Sequence, residues 1–352
     1  MTDPSTTEAP RPSPPQLDAV PVVSVVIVNY NGRSFLSGCL DSIRQRVTTP
    51  CEVVVVDNAS MDGSVPWLKA TYPWVRIVES ADNLGFAGGN NLGAEVARGH
   101  ILLLLNHDTL LQTDIQPVVD ALAEPSVGAV GVHLRYGDGR VQRSVGHEHT
   151  PLRIVASWVP GLGRLPGLRR EHPASAFYEQ PQDDVDWVCG ACMALRREDY
   201  RLLGGLDADF FMYVEDVDLC RRVRQAGLRV VYEPEVVVTH LERGGQTWAG
   251  ERALRWTSAS YLRYVRKHFG ARARSRTRWG LRGVMRLRQM THALQARLAR
   301  GDAAQLALEK AEAFRAVANW LGAPGSAADQ ASTPDQASTP DQASTPDQAS
   351  RP

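Results

Sequence analysis

The sequence is short of several things, and each shortage removes a class of protein. Its 352 residues hold five cysteines, Cys39, Cys51, Cys189, Cys192 and Cys220. An odd and sparse set is no disulfide framework and suits a reducing compartment. Long apolar runs are missing as well. The longest purely aliphatic stretch is Ile101 to Leu105, against the ~20 residues that a membrane-spanning helix needs. The opening segment, MTDPSTTEAPRPSPPQLDAVP, has neither the basic nor the apolar region of a secretory signal. A cytoplasmic, non-spanning protein is expected. Net charge is also absent, with 39 basic and 39 acidic side chains. That zero is a cancellation. Between Arg252 and Arg300 there are fourteen basic residues and no acidic one, which leaves 25 basic against 39 acidic elsewhere.

What is present is an alternation of short β-branched runs with helical segments. Val22 to Val28 reads as a buried strand, with Phe35, Leu36, Leu40 and Ile43 on one helical face after it. Val53 to Val56, Val75 to Val78 and Ile101 to Leu105 read as further strands, with helices near Asp62 to Tyr72 and Ala87 to Ala97. Continuous rather than alternating apolar strands imply an α/β fold whose parallel sheet is covered on both faces. Ligands of such sheets sit at the carboxyl ends of the strands. The polar residues collect there: Asn29-Tyr30-Asn31, Asp57-Asn58 and Asn106-His107-Asp108.

Four segments carry chemistry. Asp108, directly after an aliphatic strand, is placed to bind Mg²⁺ or Mn²⁺, which take hard oxygen ligands and substrate phosphates; it could equally cap the next helix. Glu215, Asp216 and Asp218 fall in the first turn of a helix beside an aromatic cluster. Such acids suit the helix dipole or pair with Arg221 or Arg222, but mutual repulsion and desolvation also make a carboxylate a better base. His240 ends another apolar strand, either as a structural group or as the completion of a site with Asp108. The stretch NLGFAGGNNLG (83–93) opens a helix and lacks the spacing of a dinucleotide fingerprint or a P-loop. Its glycines, read as preceding the helix, would let an anionic group approach the backbone. Cys189 and Cys192 have no second pair at zinc spacing and read as small thiols of a buried strand.

Taken in order, VSVVIVNYNG, EVVVVDNASMDGS, NLGFAGGNN, LLLLNHDT, WVCGACMALRR and FMYVEDVDLCRR resemble the family 2 glycosyltransferases of GT-A fold. They look most like the rhamnosyltransferase-like members that build cell-wall and surface polysaccharides. The resemblance covers about Pro21 to Gly245. It implies a nucleotide-sugar-binding fold with a mostly parallel sheet, an inverting hexosyltransferase, and a dTDP- or UDP-linked donor. Asn29, Tyr30 and Asp57 match positions that hold base and ribose, and Asn83 and Gly85 match the loop along the donor. Asn106 and Asp108 stand where the family has its D-x-D-type metal motif, here N-H-D, and His240 matches a histidine that completes the site in some relatives. Asp216, with Glu215 beside it, matches the general base. Gly190 and Ala191 match a strand beneath the acceptor pocket, with Asp218 on the acceptor side. A glycan or polyprenyl-pyrophosphate-linked acceptor is implied.

The expected organisation is a disordered arm (1–20), a catalytic domain (21–245), a basic helical region (246–322) and a solvated DQASTP-repeat tail (323–352). Gly137 to Gln182, with His147, His149 and Trp158, is expected to form an acceptor-side loop. In the basic region, Leu254, Tyr261, Leu262, Val265 and Phe269, then Leu281, Val284, Met285, Leu294 and Leu298, fall at helical spacing. Such a helix can lie on an anionic membrane at the cytoplasmic leaflet, or pack on the catalytic domain with its arginines solvated. Two other functions remain open: a non-catalytic scaffold that binds nucleotide sugar, and an RNA-associated protein acting through the basic segment. Nucleic acid is not expected, because the segment lacks interleaved stacking aromatics and the sheet edge is acidic.

Overall fold

Strands β1 (Val23–Asn29), β2 (Cys51–Asn58) and β3 (Arg76–Ser80) are linked by helices α1 (Arg33–Arg46) and α2 (Ser64–Thr71). Helix α3 (Gly85–Val96) then leads to β4 (Ile101–Asn106). The order continues through β5 (Thr109–Leu111), α4 (Gln116–Ala123), β6 (Val127–Tyr136), β7 (Val145–Gly146), α5 (Pro151–Ser157), β8 (Trp187–Val188) and β9 (Cys192–Arg196). It closes with α6 (Arg197–Leu202), α7 (Glu215–Gln225), β10 (Arg229–His240), α8 (Gly250–Leu298) and α9 (Asp302–Gly322). The computed structural model describes residues 21–159, 161–162, 175–241 and 250–323. The amino-terminal arm, the repeat tail and most of VPGLGRLPGLRR lie outside the described residues.

Eight strands form one sheet in the order β3-β2-β1-β4-β9-β6-β10-β5, and β7 pairs with β8 separately. β9 and β5 run against the other six, so the sheet is mostly parallel, as expected. Alternate residues of the continuous apolar strands serve two cores. Val26, Leu102 and Leu104 face α3, α7 and α8, while Val25, Ile27, Leu103 and Leu105 face α1 and α4. Burial on both faces fixes register, since a slip of one residue would exchange the two cores. In that register Asn29 stands opposite Asp57, and Val28 opposite Asn106. Three strand ends from distant parts of the chain thereby meet on one edge.

The basic segment is built into this body. Leu254, Tyr261, Leu262, Tyr264 and Val265 of α8 share a core with α7 and β9. Burying side chains such as Leu262 and Val265 contributes ~1.5–3 kcal/mol each. Gly270, at φ 85° and ψ 173°, interrupts the helix, and beyond it Leu281, Val284 and Met285 are buried while α9 packs alongside through Phe314, Val317 and Leu321. Among the described residues no helix is long and apolar enough to cross a membrane.

Candidate functional site

The site begins at the carboxyl ends of β1 and β2. Asn29 is fully buried and donates from Nδ2 to Asp57 Oδ1 (2.9 Å) and Ser60 Oγ (3.0 Å), while its Oδ1 accepts the Gly32 N–H (3.1 Å) at the start of α1. Asp57 Oδ2 in turn accepts the Ser60 N–H at 3.0 Å. Asn31 and Ala59, at φ 51° and 63°, turn the two loops outward, and Tyr30 stands exposed between them. These two loops form the rim on which a planar base could rest.

Buried Asn58 organises the next loop. Its Nδ2 donates to Asn83 Oδ1 and to the Gly85 carbonyl, both at 3.0 Å, and its Oδ1 accepts the Leu84 N–H at 3.1 Å. Asn83 Oδ1 also accepts the Gly85 N–H at 3.0 Å. The glycines of 83–93 correct the sequence reading: they do not precede a helix but lie inside α3. A Cβ on Gly89 would fall 2.7 Å from Val28, and one on Gly93 2.4 Å from Val26, so the glycines let α3 sit close on the sheet. Gly85 is under a separate constraint. It has φ +72°, and a Cβ there would come 2.4 Å from the Phe211 carbonyl, whose oxygen accepts the Phe86 N–H at 3.0 Å. Gly85→Ala therefore meets both a left-handed backbone and a backbone clash, and should cost ~1–3 kcal/mol. The expected result is a lower Tm, with a weaker thermal response to nucleoside diphosphate.

The N-H-D segment crosses from β4 into β5. Asp108 Oδ1 lies 3.2 Å from His240 Nε2, and Asn106 Nδ2 lies 3.3 Å from the same nitrogen. β10 reaches them because it bends between Glu233 and Val237 and pairs with β5, setting His240 opposite Thr109. On the far side of the imidazole, Nδ1 meets Gln142 Oε1 at 3.0 Å. An amide oxygen only accepts, so it keeps a proton on Nδ1; Nε2 then faces Asp108, donating to it as the imidazolium or offering its lone pair to a cation held between them. Two donors 3.2 Å apart suit adjacent positions of an octahedral ion, where ligands at ~2.1 Å are roughly 3.0 Å apart. Among the described residues there is no group of three His, Cys, Asp or Glu able to hold a metal. A divalent ion here would draw its other ligands from substrate phosphate and water, as Mg²⁺ commonly does. Burial disfavours the Asp108 carboxylate, but the His240 hydrogen bond and the charges of His240 and His107 outweigh it and hold its pKa below the usual range. His107 itself points away: its Nδ1 meets the Val28 carbonyl at 3.2 Å, and its ring fills the space beside Gly32.

Asp216 is connected to this pair by a two-residue turn. Gly190 and Ala191 lie not in a strand, as the sequence suggested, but in the turn between β8 and β9. The Gly190 N–H donates to Asp216 Oδ2 at 2.8 Å, and the Ala191 carbonyl accepts the Asn106 N–H at 3.0 Å. Burial raises the pKa of Asp216, opposed by the Gly190 and Val217 N–H groups and the charge of His149. Glu215 is buried with no partner for Oε2 among the described residues. Burial, then the charge of Asp216, push its pKa well above the ordinary range. Both carboxyls are thus pushed toward the protonated form, Glu215 the more strongly. Tyr213 and Val214, both left-handed at φ 69° and 71°, precede them. A β-branched residue in that region is strained. The Ser260 hydroxyl of α8 donates to the Met212 carbonyl at 2.9 Å and helps to hold the turn.

Asp218 is not brought to Gly190 and Ala191. It is fully buried and accepts from Arg222 Nε (2.8 Å), Lys267 Nζ (3.0 Å) and His268 Nε2 (2.8 Å). The i,i+4 pairing with Arg222 is the alternative that sequence left open; the α8 partners were invisible to it. The expected acceptor-side stretch supplies β7, α5 and a short 3-10 turn at Ser175–Glu179. Within it His149 is buried against Trp187 and Tyr261, with ring centroids 5.4 Å apart in each case. Cys192 is buried at the start of β9, whereas Cys189 is only half-buried and precedes the turn. Asn58 was named at a polar strand end and His149 in the expected acceptor-side loop, but neither they nor Gln142 and Phe211 were given a role. Asn58 and Phe211 lie within quoted motifs, but nothing in their spacing marks a role.

The profile of "Glycosyl transferase family 2" matches residues 24–204, and that of "Glycosyl transferase family 21" matches residues 182–294. The N-acetylglucosaminyl-diphospho-decaprenol L-rhamnosyltransferase of Mycobacterium tuberculosis is 29% identical over 287 residues, 76% of this chain and 91% of its own length. The uncharacterized protein y4gI of Sinorhizobium fredii is 29% identical over 260 residues, 70% of this chain but 28% of its own length. Rhamnosyltransferase WbbL of Escherichia coli is 37% identical over 81 residues, 23% of this chain and 31% of its own. Among solved structures, the mannosyltransferase PcManGT of Pyrobaculum calidifontis, in complex with GDP-Man and Mn²⁺, superposes with TM-score 0.51 at 20% identity, covering 88% of this chain and 86% of its own. GalNAc-T7 with UDP, GalNAc and Mn²⁺ gives TM-score 0.51 at 18% identity, covering 86% and 55%. At these identities the likeness establishes the GT-A fold. With more than half of its length inside the family profile, the chain belongs to the family 2 glycosyltransferases.

Proposed function

We propose that this chain transfers a sugar, with inversion, from a dTDP- or UDP-linked donor to a hydroxyl of a glycan or a polyprenyl-pyrophosphate-linked acceptor. The sugar is rhamnose by likeness to the named rhamnosyltransferases. One observation carries the reading. A single turn, Gly190-Ala191, holds the Asp216 carboxylate at one end and the Asn106 strand end, two residues before Asp108, at the other, which supports a base and the Asp108–His240 pair serving one reaction. Asn29, Tyr30 and Asp57 form the rim for base and ribose, and Asn83 and Gly85 border the diphosphate. Asp108 and His240 would hold Mg²⁺ or Mn²⁺, which supplies Lewis-acid neutralisation of charge on the leaving diphosphate. Asn106 orients the histidine, and Gln142 keeps its tautomer. Asp216 accepts the proton of the acceptor hydroxyl as its oxygen attacks the anomeric carbon. One displacement with one base and no covalent sugar–enzyme intermediate inverts the centre. A lipid-linked acceptor would place the work at the cytoplasmic face of a membrane.

Thermal-shift measurement with nucleoside diphosphate sugars, with and without Mn²⁺, tests this. A true donor at a hundredfold excess over Kd stabilises by ~2.7 kcal/mol. The gain should shrink on chelation and in Asp108→Asn. If no nucleotide sugar raises the Tm, the donor-site reading falls.

A further inference from the structure

Beyond Gly270, α8 has two unlike faces. Leu281, Val284 and Met285 are buried, whereas Trp279, Gly283, Leu287, Met290, Leu294 and Leu298 all lie exposed. The exposed set recurs at steps of four, four, three, four and four, which is one continuous stripe on a 3.6-residue helix. The exposures are large: 65% for Trp279, 68% for Met290 and 78% for Leu298. Arg272, Arg276 and Arg297 are exposed on the same face and make no ion pair among the described residues. Arg282 lies over the Trp279 ring at 5.1 Å from its centroid. No acidic residue occurs in the helix after Glu251.

We infer that this stripe, from Arg272 to Leu298, is the surface by which the enzyme rests on an anionic lipid bilayer. Charge decides the occupant. Self-association through the stripe would bring identical arginine-bearing faces together with no acid to neutralise them. A surface of anionic headgroups neutralises them, while Met290, Leu294 and Leu298 enter the acyl boundary and the arginine stems extend back to the phosphates. On the buried side of this same segment Leu281 and Met285 belong to the core that contains Val217 and Leu219 of α7, so the docked stripe is coupled mechanically to the body that bears Asp216. The inference rests on the proposed reading in one respect, because a lipid-linked acceptor gives the docking its purpose.

Flotation of the full chain with vesicles tests it, comparing pure phosphatidylcholine with phosphatidylcholine containing about one-third phosphatidylglycerol. The protein should float with the anionic vesicles and stay behind with the neutral ones. Met290→Ser/Leu294→Ser/Leu298→Ser and Arg272→Gln/Arg276→Gln/Arg297→Gln should each cut the bound fraction about tenfold or more. Both variants should keep the wild-type Tm and its rise with nucleoside diphosphate, since the substituted side chains are exposed. Failure of wild type to float, or wild-type flotation by both variants, overturns the inference. So does a dimer in sedimentation that the serine variant dissociates while vesicles capture nothing. Because the nucleotide response is read without vesicles, failure of docking and failure of the donor site are told apart.

Discussion

Asp216→Asn is expected to lower turnover by at least about a thousandfold, the upper range for removal of a general base, while the thermal response to nucleoside diphosphate sugar remains. The substitution keeps the shape of the side chain, and an amide oxygen can still accept the Gly190 N–H that now meets Oδ2 at 2.8 Å. What is lost is proton affinity. The pH profile carries the sharper signature. As the proposed base Asp216 would act only as a carboxylate, and burial raises its pKa, so the acid limb of kcat/KM should lie above the ordinary aspartate range. That limb should vanish in the variant. Turnover near the wild-type rate, or an unchanged limb, would remove Asp216 from the role of base and leave the fold assignment untouched.

The second large effect is on stability. Asp218→Ala should destabilise the protein by ~3–5 kcal/mol, because breaking a buried ion pair strands the charges that remain. Arg222, Lys267 and His268 all donate to this one fully buried carboxylate. Two of the three come from α8, so the loss should loosen the helix from α7, and Asp216 with it. Burial alone would raise the pKa of Asp218, but the His268 hydrogen bond and the charges of Arg222 and Lys267 bring it down to about 2. A depressed folded-state pKa contributes stability that is present above the unfolded value, near 4, and is lost as pH falls through about 2. Urea denaturation at pH 5 and pH 2 should therefore show wild type losing roughly 2 kcal/mol more than Asp218→Asn over that interval. Equal losses would mean that the cluster contributes no such linkage.

The parallel core of the fold was legible because its information is local. Val23–Asn29, Cys51–Asn58 and Ile101–Asn106 announce themselves by the apolar runs Val25–Val28, Val53–Val56 and Ile101–Leu105, and the polar residue ending each run follows without further input. β9 was not legible as antiparallel. WVCGACMALRR contains no mark of direction, which is set by the pairing of Cys192 to Leu105 and Arg196 to Ile101. The glycines of α3 were misread for a similar reason. Glycine is a poor helix former in isolation, and its use here depends on the nearness of Val26 and Val28.

Taken alone, the sequence determined the fold class, the edge of the sheet where polar groups gather, and the identity of Asp108, Asp216 and His240 as the groups worth placing. Periodicity and residue type suffice for the first two, because each is a property of a short segment; Asp216 was picked out from Glu215 and Asp218 by the family resemblance. Tertiary structure decided the relations among them. Only the folded chain ties Asp216 to Asn106 through the Gly190-Ala191 turn and aims His240 with Gln142. It also takes Asp218 out of the site and into a cluster with α8. The arginine-rich segment divides the same way. Its net charge and amphipathic spacing were visible in the sequence, but which apolar residues pack inward and which form the exposed stripe depends on what α5 and α9 cover. Direction, burial and partnership over a hundred residues are set by packing, and no local pattern encodes them.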